Sequence, residues 1–254
     1  MTARVAAIQR HPVKSHGCEG LAAVELTAGA GVPWDRAWAV AHEAARVAPG
    51  RWASCANFSR GAKAPELMAI TARFDEATGR LTLRHPSRPD LDFRPDDPAD
   101  QARFLDWVAP LCPPGRARPV AVHAIDRGQP QGLTDTDYPS VSLINLASGR
   151  ALGQAMGIEL SPLRWRANLW LDGVAPWDER GWTGRRLRIG TATLQVVEPI
   201  VRCLATAANP GTGQRDADTL GALKALWGEA VFGLYARVLT GGRITDGAQV
   251  EILA

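Results

Sequence analysis

Apolar and polar positions alternate in short bursts along this chain, and turn residues separate the bursts. Residues 3–10 alternate weakly and predict a first strand. Residues 67–74 and 80–84 predict a hairpin that turns at Glu76-Ala-Thr-Gly79. Residues 86–98 read as turns, and 99–109 as a short helix with Phe104, Leu105 and Val108 on one side. Pro113-Pro-Gly115 breaks the chain before a strand at 120–125, and 129–136 reads as a junction between two halves. A helix is expected over 148–156. Residues 162–171 alternate strongly and predict a core strand, with Arg164, Arg166 and Asn168 on one face. Trp165, Ala167 and Leu169 share the other. An apolar run from Val196 predicts a buried strand, and 211–218 a flexible loop. A helix over 219–227 should turn Leu220, Leu223, Leu226 and Trp227 inward. The last long strand covers 231–239, and a closing strand covers 248–253.

Composition narrows the classes. A chain of 254 residues that is 46% hydrophobic buries a real core, as one large domain or two small ones. No stretch reaches the roughly 20 apolar residues of a membrane helix. The first ten residues turn polar too soon for a signal peptide. The expectation is a soluble, cytoplasmic protein with no membrane contact. A net charge of +3 gives no case for nucleic acid. Lys14, Lys63 and Lys224 are the only lysines. The remaining cations are arginines, which suit bidentate capture of phosphate or carboxylate, although a codon bias enriches arginine as well.

The cysteines, Cys18, Cys55, Cys112 and Cys203, form no Cys-x-x-Cys pair, and the five histidines show no ligand spacing. His42-Glu-Ala-Ala-Arg46 lacks the second histidine of a zinc helix. Phosphate-loop, dinucleotide and nucleophile-elbow signatures do not occur. What stands out is Cys203, which follows an apolar run and sits beside Arg202. A guanidinium there favours the thiolate, the form that binds soft metals. The same cysteine also reads as a small apolar residue closing a strand. Arg164, Arg166 and Asn168 are costly on a buried face unless something pairs with them, and ordinary on a solvent face. Lys14-Ser15 leaves a strand end and can hold an anion, or can be a plain turn. Asp35-Arg36 is either a structural pair or a second reach towards that anion.

Arg202-Cys203 with Thr206 and Asn209-Pro210 resembles the C-terminal half of a MOSC domain, the molybdenum-cofactor sulfurase C-terminal module. So do Arg166-Ala-Asn168, Trp177-Asp-Glu-Arg-Gly-Trp182, Leu187-Arg-Ile-Gly190, Phe232-Gly-Leu-Tyr235 and Gly242-Arg-Ile-Thr-Asp-Gly247, in that order. Upstream, Pro12-Val-Lys-Ser15 and Asp35-Arg36-Ala-Trp38 resemble the N-terminal β-barrel domain that accompanies it, and residues 137–148 resemble the start of the MOSC core. His16-Gly-Cys-Glu-Gly20 departs from the pattern and puts Glu19 near the expected anion site, while Arg60 stays unassigned. The resemblance implies an α+β, predominantly β fold. A β-barrel MOSC core over 126–254 would pack with a smaller N-terminal β-barrel domain over 1–125.

Within the family the layout is similar to the amidoxime-reducing group. This implies a molybdenum–molybdopterin cofactor with Cys203 as metal ligand and catalytic residue. Lys14, Ser15, Arg36, Tyr138, Arg166, Asn168, Arg202, Thr206 and Tyr235 would line the pterin and phosphate. The implied activity is reduction of an N-hydroxylated small molecule with electrons from a separate ferredoxin-like or flavin protein. The alternative is a carrier of sulfur, as a Cys203 persulfide, or of cofactor. Pyridoxal phosphate binding is a further family-level association.

Overall fold

The computed structural model describes residues 3–253. Met1, Thr2 and Ala254, and with them the outer ends of both expected domains, lie outside the described residues. The elements are β1 (Arg4–Arg10), β2 (Glu19–Leu21), β3 (Ala23–Leu26), β4 (Trp38–His42), β5 (Thr71–Asp75), β6 (Arg80–His85) and β7 (Arg88–Phe93), then α1 (Pro98–Val108) and β8 (Pro119–Ala124). They continue with β9 (Val141–Asn145), α2 (Leu146–Met156), β10 (Leu169–Asp172), β11 (Arg186–Ile189), β12 (Ala192–Val201), α3 (Thr219–Trp227), β13 (Val231–Thr240), β14 (Gly242–Thr245) and β15 (Val250–Leu253). The fold is α+β and mostly β. Among the described residues, no helix is long and apolar enough to cross a membrane.

The largest sheet runs β15-β11-β12-β13-β9-β10-β1-β2. Its members alternate inward apolar with outward polar residues. In β12, Ala192, Leu194 and Val196 are buried while their neighbours are not. The start of β1 meets the approach to β15, because Val5 N–H donates to Ala248 at 2.8 Å and Val250 N–H donates to Ala3 at 2.8 Å. The sheet therefore closes into a barrel, and its two edges satisfy each other. Val5, Ile8, Leu143, Leu171, Leu187, Leu194 and Val238 fill the interior, and Ile244 of the β3–β14 ribbon packs with them. The only parallel pair among these strands, β9 with β10, is joined through α2 as a crossover demands. Asn145 caps the start of α2, and Gly157, at φ 68°, ends it in the left-handed conformation.

A second core lies under the β5–β6–β7 sheet and α1. Asp97 caps α1 by accepting from the N–H groups of Ala99 and Asp100, and Pro98 occupies the first turn. Phe104, wholly buried, stacks on Phe93 at 4.6 Å between ring centroids. Truncation to Ala at such a position costs about 3–5 kcal/mol.

The structure corrects three readings. The stretch 86–98, expected to be turns, contains β7: Pro89 removes a backbone donor, which an edge strand tolerates. Residues 162–171 are not one strand. Pro162–Trp165 forms a 3-10 turn, Arg166 is left-handed at φ 49°, and β10 begins only at Leu169. The shared face of Arg164, Arg166 and Asn168 therefore does not exist. In α3, Thr219 and Leu223 face inward, but Leu226 and Trp227 are exposed. Trp227 lies under the Arg180 guanidinium at 4.3 Å and packs edge-on against Trp177.

Candidate functional site

β1 delivers the chain into a tight turn at Val13–His16, where Lys14 N–H donates to Trp38 at 2.8 Å. Ser15 there has φ 64°. Asp35-Arg36 crosses behind it, with Arg36 at φ 55° and its N–H bonded to His11 at 2.7 Å. Arg166 comes from the far end of the 3-10 turn before β10. Ser15, Arg36 and Arg166 are three of the five described non-glycine residues with positive φ. Such conformations cost of order 1–3 kcal/mol each and gather where a ligand is held. All three line one cleft of about 230 Å³.

Lys14, Arg202, Cys203, Thr206 and Tyr235 line the same cleft, so eight of the ten expected residues converge. Asn168 and Tyr138 do not line it. The Asn168 amide is committed beneath the floor: it accepts from Ser142 N–H at 3.1 Å and Ser142 Oγ at 2.8 Å, and donates to Gln9 at 3.2 Å. Ser142 does face the cleft, so Asn168 fixes the wall. Tyr138 donates its hydroxyl to Glu198 and lies under Arg237 at 4.3 Å. Glu19 is also away from the cleft. It pairs with Arg10 Nε at 2.8 Å and accepts from Phe74 N–H at 3.0 Å.

Cys55, Arg60, Asp135, Ser142, Arg164 and Trp165 also line the cleft and went unassigned from sequence. Arg164 and Arg60 were visible as arginines near the motifs. Cys55 and Asp135 carried no signal, since one opens a three-residue 3-10 turn and the other stands in a loop.

The electrostatics are lopsided. Six cations face the cleft against one carboxylate, Asp135. Three of the cations have acid partners. Lys14 Nζ donates to Asp135 at 2.6 Å and to the Leu133 carbonyl at 2.8 Å, Arg36 pairs with buried Asp35, and Arg164 bonds Asp216 at 2.6 Å. Burial lowers the Lys14 pKa, against the pull of Asp135. Burial also opposes the charge of Arg36, but Asp35 wins and raises its pKa. His11 touches the same Asp35 at 3.2 Å. Burial, with Arg166 and Arg36 nearby, lowers its pKa to about 3, so it is neutral at ordinary pH.

Arg166 and Arg202 have only carbonyl partners. Arg166 donates to Gly17 at 3.1 Å. Arg202 donates through Nε to Phe232 at 2.6 Å and through Nη1 to Trp165 at 2.8 Å. Its Nη2 is buried and has no partner among the described residues. Burial depresses both guanidinium pKa values to about 10. Gly233 makes room for Arg202: a Cβ there would stand 3.0 Å from Nη2 and 2.6 Å from the Leu143 carbonyl, and its φ is +79°.

Cys203 ends the β12 segment in extended conformation and is exposed at the lip, opening the 3-10 turn Leu204–Ala207. Thr206 fixes that turn, its Oγ donating to the Cys203 carbonyl at 3.1 Å and meeting Thr219 Oγ at 2.7 Å. Cys18 and Cys112 are turned elsewhere, and burial raises both thiol pKa values. No group of three or more His, Cys, Asp and Glu side chains converges on a metal position among the described residues.

Residues 132–251 match the MOSC domain, and residues 2–110 match the MOSC N-terminal beta barrel domain. The chain belongs to the MOSC domain proteins. Part of this MOSC protein is 34% identical, over 109 residues, to molybdenum cofactor sulfurase of Drosophila grimshawi. The match is 42% of this chain and 14% of that relative. The Drosophila mojavensis sulfurase is 33% identical over 108 residues, 42% of this chain and again 14% of the relative. The chain thus spans a small part of the curated relatives it matches. Among solved structures, the YuaD protein of Bacillus subtilis is 12% identical at a TM-score of 0.46, covering 99% of this chain and 96% of its own. YiiM of Geobacillus stearothermophilus is 22% identical at 0.37, covering 45% and 54%. The family and the sulfurase likeness associate this MOSC protein with the molybdenum cofactor.

Proposed function

We propose that the cleft binds a molybdenum–molybdopterin cofactor and that the protein reduces N-hydroxylated small molecules with electrons from a separate donor. The observation that carries this reading is the buried, partnerless Nη2 of Arg202 beside the exposed thiol of Cys203. A buried guanidinium donor left open is costly unless an acceptor arrives. An anionic pterin phosphate or dithiolene supplies one. The donor set fits in other ways. Lys14, Ser15, Arg36 and Arg166 offer charge-assisted donors to the same space. The Cys203 thiolate is a soft ligand for a metal whose other ligands come from the cofactor.

The cofactor supplies oxygen-atom and two-electron chemistry at the metal. The chain supplies the rest. Asn168 and Thr206 hold the wall and the cysteine turn in place. Arg166 and Arg202 concentrate positive charge where water is partly excluded. Burial raises the Tyr235 pKa to about 12, so its hydroxyl stays a proton donor at ordinary pH. The domain division at residues 125 and 126 is part of this reading, with the cleft drawing lining from both sides.

A second reading is favoured by the exposure of Cys203 and the likeness to sulfurases: the thiol carries persulfide sulfur for delivery. One experiment separates the two. Protein made in a cofactor-competent host is assayed for molybdenum and pterin, then for turnover of an N-hydroxylated substrate with reduced viologen. Wild type is expected to hold metal and turn over, and to be inactive with NADH or NADPH alone. Cys203→Ala is expected to lose the metal, while Cys18→Ala and Cys112→Ala keep it. Full occupancy in Cys203→Ala refutes the ligand assignment. Loaded wild type that is inert with viologen favours the carrier.

A further inference from the structure

We propose that Arg60 is the substrate-anchoring residue of this cleft, and that the preferred substrates carry an anionic group, such as a carboxylate, distant from the reacting end. The inference rests on the cofactor-binding reading above and adds a substrate class to it. Among the cations of the cleft, Lys14, Arg36, Arg164, Arg166 and Arg202 each donate to at least one oxygen of the protein. Arg60 is different. Its hydrogen bond is to the sulfur of Cys55, Nη1 to Sγ at 2.9 Å. A thiol is a weak acceptor. The guanidinium is therefore held in direction while its donors stay largely free.

Its position sets the role. The segment that follows Arg60 is pinned against the turn that follows Cys203. A Cβ on Gly61 would come within 3.3 Å of the Ala205 Cβ and 2.6 Å of the Met68 sulfur, so no other residue fits without movement. Arg215 Nη2 donates to the Ala62 carbonyl at 2.9 Å and ties the segment from the other side. Arg60 and Cys203 therefore share one cleft and meet at adjoining turns. A molecule whose reacting group lies at the Cys203 end can present a carboxylate to Arg60. A planar fork with free donors suits that group bidentately.

The test uses cofactor-loaded protein and a pair of probes, an aryl amidoxime bearing a para-carboxylate and its uncharged methyl ester. Binding is read by calorimetry without reductant, so that no turnover is needed. Wild type is expected to bind the acid more tightly than the ester. Arg60→Gln is expected to weaken the acid by roughly 10- to 100-fold, the range for a hydrogen bond to a charged group. The ester and the molybdenum content should not change, and Arg60→Lys should recover part of the loss. Under reduced viologen the same loss should appear in KM for the acid with kcat preserved. Equal affinity for both probes in wild type overturns the proposal, as does an unchanged acid affinity in Arg60→Gln. Loss of molybdenum in Arg60→Gln also overturns it, because Arg60 would then hold the cofactor. The expected binding pattern without any turnover upholds Arg60 and removes the reductase reading alone.

Discussion

Arg10, buried, and Arg202, half-buried, both lie over aromatic rings, and they are finished differently. Arg10 is 3% exposed, with Phe74 at 5.5 Å. Its fork meets Glu19, Glu76 and the Phe74 carbonyl. Arg202 lies 5.6 Å from Trp165 and 5.9 Å from Phe232. It meets two carbonyls and no carboxylate, and one nitrogen has nothing. The first is a closed structural unit. The second keeps positive charge in a water-poor place without neutralising it. Arg164 of the same cleft also keeps a buried nitrogen, Nε, without a partner among the described residues, and so does Arg88 in β7 away from it, so an open buried donor marks the binding wall only where it coincides with the cleft.

The largest expected effect is on cofactor retention. Arg202→Gln should weaken it by about 2–5 kcal/mol, the cost of truncating one member of a buried charge pair. Molybdenum content after gel filtration reads this, and Arg10→Gln should retain the metal. If both variants lose it equally, the contrast between the two arginines fails.

Fold stability should rank them in the opposite order. Arg10→Met strands Glu19 in the interior and should cost about 3–5 kcal/mol in urea unfolding of cofactor-free protein. Arg202→Gln should cost almost nothing there, or add up to about 2 kcal/mol, because a desolvated charge is removed. A strongly destabilised cofactor-free Arg202→Gln would mean that its two carbonyl bonds are structural.

The last comparison concerns buried bases kept neutral. His11 has a pKa lowered to about 3 and His16 to about 4, each by burial first. The unfolded chain takes up these protons near pH 6.5, and the folded one does not. Their stabilising effect is complete above pH 6.5 and is lost as pH falls towards 4, at about 1.4 kcal/mol per pH unit for each histidine. Urea midpoints at pH 7 and pH 5 should show this drop. His16→Gln, which can still donate to the Lys14 carbonyl, should shrink it.

Much of this was legible in the chain. The first half of β12 and the second half of β13 carry period-2 burial, and the cleft residues sit in short motifs whose order survives. What was hidden followed from tertiary override. Residues 163–168 alternate like a strand because Leu163, Trp165 and Ala167 alternate with Arg164, Arg166 and Asn168, yet Arg166 is left-handed. Its carbonyl accepts from Arg36 at 2.9 Å, across 130 positions of sequence. No local pattern encodes that bond. β7 is masked by Pro89, and the bonds of Asn168 to Ser142 and Gln9, remote in the chain, leave no local sign beside the Arg166-Ala-Asn168 motif. Arg60 had no periodicity around it, only a place beside Cys203 that folding creates.

The closure of the barrel has a consequence in time. β1 pairs with β10 and touches the approach to β15, so this strand is synthesised well before most of its neighbours. At about 5–20 residues per second, on the order of ten to thirty seconds pass before β10 is synthesised. Until then β1 has no partner in the large sheet except the short β2. The segment that later presents Lys14 and Ser15 therefore waits for its permanent place until β10 exists.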